Sequence, residues 1–137
     1  MMKLEIVTPF GVALTASCQE LAAPGALGQF GVLPEHIPFL TAVPPGIVWF
    51  RDERGAVKYM AVSNGYAEVS DEGVVLLVET AERAEDIDLT RAKANRDRFK
   101  PQVDAWQGAM DEPAIHSLLT RLKREEARIE AVESLKS

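Results

Sequence analysis

The first half of the chain alternates short apolar runs with turn residues. The runs cover residues 4–7, 47–50, 57–62 and 74–78, and they are rich in β-branched and aromatic side chains. Eight of the nine glycines and six of the eight prolines fall within the first 73 residues, so turns interrupt the runs at strand length. This spacing predicts an all-β sandwich or barrel. Residues 54–55 and 71–73 predict hairpin turns, because glycine readily adopts a positive φ.

The run at residues 74–78 consists of five consecutive apolar side chains. Successive side chains of a strand point to opposite faces, so a continuous apolar run is typical of a strand that is buried on both sides. We therefore expect a central strand that is buried on both faces, with the second half of the chain packed against one of them.

The pattern changes after Thr80. Apolar side chains then recur at helical spacing, and the last segment carries a stripe made of Ile115, Leu118, Leu119, Leu122, Ile129 and Val132. Residues 111–113, Asp-Glu-Pro, are typical of a helix start. A preceding helix is predicted from about Asp88 to Gln107, with a kink or break near Lys100 because Pro101 removes a backbone hydrogen bond.

Together the two patterns predict an α+β fold. Residues 1–85 are expected to form an antiparallel β-sandwich, and residues 86–137 a two-helix antiparallel hairpin.

Composition and charge narrow the range of functions. The 137 residues include 15 basic and 21 acidic side chains, a net charge of −6. The electrostatic field of this negative charge repels nucleic acid and anionic membrane surfaces. Residues 1–85 hold five basic and eleven acidic side chains, whereas residues 86–137 hold ten of each. The single cysteine excludes a disulfide framework and suits a reducing compartment, and no long apolar run predicts a membrane span or a signal peptide.

An enzymatic role has little support in the residues. Nucleophilic catalysis needs a serine or cysteine beside a base, yet the chain has two histidines, His36 and His116, and lacks a Gly-x-Ser-x-Gly elbow. Cys18 falls in a predicted strand, where it is expected to be a small buried side chain. One cysteine and two distant histidines are also poor material for a zinc site, so we expect no catalytic residue and no metal.

Two segments have both a structural and a functional interpretation. Residues 23–41 combine three glycines and three prolines with apolar side chains; they form either ordinary tight turns or an exposed platform that contacts a partner. Asp88 is expected to cap a helix, with Arg91 in solvent. Alternatively Arg91, Arg98, Arg124 and Arg128 converge across the hairpin to bind a polyphosphate.

From end to end the chain resembles the epsilon subunit of the bacterial-type (F-type) rotary ATP synthase. The matching motifs, in chain order, are residues 4–9 (Leu-Glu-Ile-Val-Thr-Pro), 31–38 (Gly-Val-Leu-Pro-Glu-His-Ile-Pro), 45–46 (Pro-Gly), 61–66 (Ala-Val-Ser-Asn-Gly-Tyr) and 80–88 (Thr-Ala-Glu-Arg-Ala-Glu-Asp-Ile-Asp). The chain departs from the family at Gln29, where an acidic residue is usual, and at Glu35, where glycine is common.

The resemblance implies a non-catalytic rotor subunit of the central stalk, which couples proton flow to ATP synthesis and restrains ATP hydrolysis. It implies that the sandwich binds the gamma subunit and the ring of c subunits. The hairpin either folds on the sandwich or extends toward the alpha/beta catalytic hexamer. The implied location is peripheral, on the cytoplasmic face of the bacterial inner membrane.

The resemblance also implies two sets of site residues. The partner-binding set is Phe30, Val32, Leu33, Glu35, His36 and Ile37. The second set would bind a regulatory ATP in the folded-down hairpin, with no cofactor required; it consists of Glu82, Ile87, Asp88, Arg91, Ala92, Arg98, Arg124 and Arg128. The alternative from another class is a free-standing nucleotide-sensing β-sandwich module, which would not copurify with a gamma subunit.

Overall fold

Seven strands precede two helices in the computed structural model, which describes residues 1–35 and 37–136. The strands are β1 (Met2–Thr8), β2 (Gly11–Gly25), β3 (Gly28–Val32), β4 (Phe39–Val43), β5 (Gly46–Asp52), β6 (Val57–Ser70) and β7 (Gly73–Arg83). A short 3₁₀ helix, Ala84–Asp86, leads to α1 (Leu89–Asp104) and α2 (Pro113–Lys136). The expected order of a β-domain followed by a helical hairpin is confirmed.

The strands close on themselves into a flattened, two-layered sandwich. Their order is β1-β7-β6-β5-β2-β3, β4 is attached to β6, and a further β1–β2 pairing closes the ring. The long strand β2 pairs with β1 through its first half and with β3 and β5 through its second half. All pairs are antiparallel except β1–β7, which is parallel, so the expected antiparallel sandwich carries one exception.

The strand β6 exchanges its two faces halfway along. Its buried residues are Met60 and Val62 before the exchange, and Ala67 and Val69 after it, so the parity of the inward positions changes between 62 and 67. Asn64 lies within this stretch and has a left-handed backbone, with φ 46°. The exchange lets one strand contribute inward side chains to both layers of the sandwich.

The core lies between the two layers and is built from all seven strands. Its largest fully buried side chains come from six of the strands and are Leu4, Ile6, Leu21, Val32, Val48, Phe50, Val62, Val69, Val74 and Leu76. Cys18 is buried among them in β2, as expected, and burial raises the pKa of its thiol while the charge of the amino terminus opposes this. The thiol is therefore a packing group.

The expectation that residues 74–78 are covered on both faces is wrong. Val74, Leu76 and Val78 are buried, but the Leu77 side chain is 54% exposed. The strand is central in its hydrogen bonding, since it lies between β1 and β6. Its outer face is bare because the hairpin covers the opposite layer of the sandwich.

The first helix begins as expected but does not break at its proline. The Asp88 carboxylate caps α1 by accepting a hydrogen bond from the Arg91 backbone N–H at 3.0 Å. The helix continues through Pro101 to Asp104, so of the predicted kink or break near Lys100, the break does not occur. Pro101 lies only three residues from the end of the helix, where losing one backbone bond disrupts little of the ladder.

The second helix docks on the sandwich through small side chains. Ala127 and Ala131 of α2 are buried against Ala61 of β6 and Ala84 of the 3₁₀ helix. Alanines allow the helix and the sheet to approach closely. The helix α1 packs on the outside of α2, and Ala92 is the one fully buried residue in α1. The hairpin is therefore folded down on the sandwich.

Candidate functional site

A chain of charged groups joins α2 to the sandwich, centred on Arg128. The Arg128 Nε donates to Glu82 Oε1 of β7 at 2.6 Å, and its Nη1 donates to Glu125 Oε2, one helical turn earlier, at 2.8 Å. Glu125 is only 2% exposed, although it is charged. We call Glu82, Glu125 and Arg128 the Arg128 clasp.

A second arginine makes a parallel connection one turn earlier in α2. The Arg124 Nε donates to the Ser63 hydroxyl at 2.9 Å, and its Nη2 donates to Glu79 Oε2 at 3.3 Å. Ser63 is completely buried and lies in the stretch where β6 exchanges its faces. The irregularity of β6 thus supplies a polar contact to the helix.

The protonation of Arg128 follows from its surroundings. Partial burial alone lowers an arginine pKa, because it penalises the charged form. Hydrogen bonds to Glu125 and Glu82, together with their negative charges, outweigh that penalty and raise the pKa of Arg128 above its ordinary value. The guanidinium therefore stays charged at every physiological pH.

The structure separates the eight predicted nucleotide residues into three sets. Glu82, Arg124 and Arg128 meet at the helix–sandwich junction. On the other side Arg91 and Arg98 are exposed on α1, and Arg98 lies 4.8 Å from the ring of Phe99. Within the described residues no hydrogen bond or ion pair joins either α1 arginine to the junction. The remaining three have structural positions: Asp88 caps α1, Ile87 packs on the alanine contact, and Ala92 is buried.

Sequence reasoning missed Ser63, Glu79 and Glu125. A signal for Glu125 was present, because it occupies the gap between Leu122 and Ile129 on the predicted apolar stripe. A charged residue on the inward face of a helix requires a buried partner. Nothing comparable marks Ser63 or Glu79, whose roles depend on the three-dimensional path of β6 and β7.

The predicted partner loop is exposed only in part. Ile37 is 82% exposed, Leu33 is also exposed, and Glu35 adopts a positive φ of 67°. Val32 is buried in the core, and Phe30 is half-buried and packs edge-on against Phe39 with ring centroids 5.2 Å apart. These two residues support the loop from beneath. His36 lies outside the described residues.

A larger apolar surface covers the outer side of the other layer. Strand register places Val12, Val7, Leu77, Tyr66 and Ala42 side by side across five strands. Leu77, Tyr66 and Val12 are each more than half exposed, and Leu40 lies on the same face two residues from Ala42. We call this row, with Leu40, the apolar face. Contiguous exposed apolar side chains mark sites of protein contact.

Two classes of site are not found in the described part of the chain. No group of three or more histidine, cysteine, aspartate or glutamate side chains there could hold a metal ion. Neither described helix has the length and apolar character that crossing a bilayer requires.

Comparisons with known proteins agree with this architecture. The family model of the ATP synthase delta/epsilon chain, beta-sandwich domain, matches residues 1–84. The chain is 42% identical over 120 residues to an ATP synthase epsilon chain of Nitratidesulfovibrio vulgaris, covering 88% of this chain and 89% of that one. It is 43% identical over 129 residues to ATP synthase epsilon chain 2 of Syntrophotalea carbinolica, covering 94% and 91%.

A solved structure has the same fold at lower identity. A chain in the cryo-EM structure of Euglena gracilis mitochondrial ATP synthase (OSCP/F1/c-ring, rotational state 1) aligns with a TM-score of 0.68 and 19% identity, covering 98% of this chain and 79% of that one. The sandwich, the hairpin and the sequence relatives define an accessory subunit class rather than an enzyme class. The chain belongs to the ATP synthase delta/epsilon family, and the expectation of an epsilon-type subunit is confirmed.

Proposed function

We propose that this chain is a non-catalytic rotor subunit, which couples rotation of a c ring to ATP synthesis and restrains ATP hydrolysis through its hairpin. Membership of the epsilon family supports the role, and the apolar face is the observation that carries it. A face of this size on an otherwise well-packed sandwich is explained by a protein that covers it.

The two exposed apolar surfaces suit two partners. The apolar face spans five strands, and we assign it to the gamma subunit. The loop that ends β3 presents Leu33 and Ile37 at one edge of the sandwich, and we assign that edge to the c ring. In this arrangement the chain is a peripheral subunit on the cytoplasmic face of a bacterial inner membrane.

The first test replaces a residue at the centre of the apolar face. Leu77 is 54% exposed, so Leu77→Asp removes about half of the roughly 1.5–3 kcal/mol that full burial of a leucine contributes, and it adds a charge that the interface must desolvate. We expect the affinity for the gamma subunit to fall by at least about tenfold. Copurification and a titration with labelled gamma subunit measure this loss of affinity.

The matched control for Leu77→Asp is Met110→Asp. Met110 is an equally exposed apolar residue, but it lies in the loop between the helices, away from the apolar face. The Met110→Asp chain should bind the gamma subunit with the same affinity as the unmodified chain. Equal affinities for all three chains would contradict the assignment of the apolar face.

ATP is the proposed regulatory ligand of the folded-down hairpin. Arg91 and Arg98 supply exposed, uncommitted donors on α1. Arg124 and Arg128 already bind carboxylates, so phosphate oxygens reach them only in exchange for Glu79, Glu82 or Glu125. Since this exchange offsets much of the gain from each charge-assisted bond, we expect binding in about the millimolar range.

Calorimetry of the isolated chain tests the nucleotide proposal. ATP should release heat with the unmodified chain, and the heat should be lost in Arg91→Ala and in Arg98→Ala. Arg121→Ala is the control, since Arg121 is an exposed arginine of α2 outside the predicted set. The proposal fails if no heat is detected at several millimolar ATP, or if all four chains give the same heat.

A further inference from the structure

Glu125 is the one charged residue among the described side chains that is fully buried. It lies on the inward face of α2, between the buried Leu122 and Ile129. A carboxylate in such a position is costly unless a cation and hydrogen bonds accompany it. The buried side-chain polar atoms of the described residues all have partners, so Glu125 is accommodated as part of a built arrangement.

The partner of Glu125 belongs to the same helix. Arg128 lies three residues later, and its Nη1 contacts both oxygens of the Glu125 carboxylate. Residues three apart are neighbours on a helix surface, so this pair can form in α2 whether or not the helix is docked. The Glu125 contact leaves the Nε edge of the guanidinium directed at Glu82 of the sandwich.

The positive charges at the junction are already neutralised by carboxylates of the protein itself. Three carboxylates, those of Glu79, Glu82 and Glu125, contact the two guanidiniums of Arg124 and Arg128. An external anion is not needed to neutralise the arginines. A phosphate group that approached Arg128 would have to displace a carboxylate that is tethered one turn away, at high effective concentration.

We propose that Glu125 acts as a built-in anionic ligand of Arg128, which orients the guanidinium toward Glu82 and so holds the hairpin on the sandwich without bound nucleotide. The inference rests on the proposed regulatory role of the hairpin, because docking regulates only if the hairpin can also leave. It deepens that role, because the hairpin is then docked on the sandwich in the absence of nucleotide. ATP would adjust the stability of the docked hairpin but would not be required for docking. Glu125 is a positioning residue in this scheme.

Hydrogen exchange of the isolated full-length chain, without nucleotide, tests the inference. The amides of residues 122–132 report opening of α2, and the amides of residues 74–78 in β7 report opening of the sandwich. In Glu125→Gln the α2 amides should exchange about tenfold faster or more, the equivalent of one charge-assisted hydrogen bond, while the β7 amides keep their rate. Glu126→Gln, an exposed neighbour, should leave both rates within about twofold.

A second variant addresses the sandwich end of the clasp. Glu82→Gln removes the charge on β7 and should accelerate the same α2 amides, because Arg128 then loses its anchor on the sandwich. If Glu125→Gln does not fold, Glu82→Gln with Glu85→Gln as its exposed control decides the question.

Two results would overturn the inference. One is unchanged α2 exchange in Glu125→Gln or, if that chain does not fold, in Glu82→Gln. The other is equal acceleration of α2 and β7, which would make the clasp a contributor to global stability only. Neither result bears on binding of the gamma subunit through the apolar face, so failure here is distinguishable from failure of the proposed rotor role.

Discussion

Gly65→Ala should strongly destabilise the chain. A β-carbon at Gly65 would lie 1.8 Å from the Leu77 carbonyl oxygen and 2.8 Å from the Val78 α-carbon. Both atoms belong to the backbone of β7, so neither can rotate away. Relief requires that β6 and β7 separate where β6 exchanges its faces. We expect a loss of about 4 kcal/mol or more in the free energy of unfolding, measured by urea denaturation.

Gly31→Ala is the matched control for this experiment. Gly31 also lies in a strand, but the nearest heavy atom to its added β-carbon is the Leu21 carbonyl oxygen at 3.9 Å, an ordinary contact. The same chemical change there should alter stability by about 1 kcal/mol or less. Similar denaturation midpoints for the two variants would show that β6 and β7 tolerate a wider spacing than the structure has.

Deleting residues 88–137 should leave a folded sandwich and raise ATP hydrolysis by the assembled complex several-fold. The main core is built from residues 2–78, and the last strand ends at Arg83. The deletion uncovers a small alanine-lined contact around Ala61 and Ala84 rather than the main core. The apolar face lies on the opposite layer, so assembly with the gamma subunit should persist.

The measurement compares hydrolysis and proton pumping in reconstituted membranes at low and high salt. If basic residues of α2 contact acidic groups of the catalytic hexamer, salt should weaken inhibition by the full-length chain and leave the truncated one unaffected. A chain without residues 136–137 serves as the control, because it retains the Arg128 clasp and the alanine contact. Unchanged hydrolysis at both salt concentrations would show that the hairpin does not inhibit.

Local patterns in the sequence account for much of this fold. The four predicted apolar runs fall in β1, β5, β6 and β7, and Asp88 and Pro113 mark the helix starts as the structure has them. The errors arose where tertiary context decides. Leu77 looks like a core residue because its neighbours are, and only the position of the hairpin shows which layer stays bare.

The candidate site was less accessible to such reasoning. Family motifs indicated Glu82, Arg124 and Arg128, and the structure brings these three together. Their arrangement depends on Glu125 and Ser63, whose importance comes from burial that no local pattern reports. Pro101 does not end α1, because it lies three residues from the end of the helix, where a proline removes little of the backbone hydrogen bonding.

The parallel pairing of β1 with β7 has a consequence for the order in which the protein folds. Lys3 pairs with Gly73 and Val7 with Leu77. The strand β1 therefore cannot pair with β7 until about seventy further residues have been synthesised and have left the ribosome. The hairpin needs only contacts close in sequence, and such contacts form fast, whereas distant pairings are slow. Its docking surface includes Ala61, Ser63 and Glu82, from the last two strands to be made. During synthesis, the β1–β7 pairing that closes the ring and the docking surface for α2 therefore become available at almost the same time. The helices are synthesised last, when the surface on which they dock can already be formed.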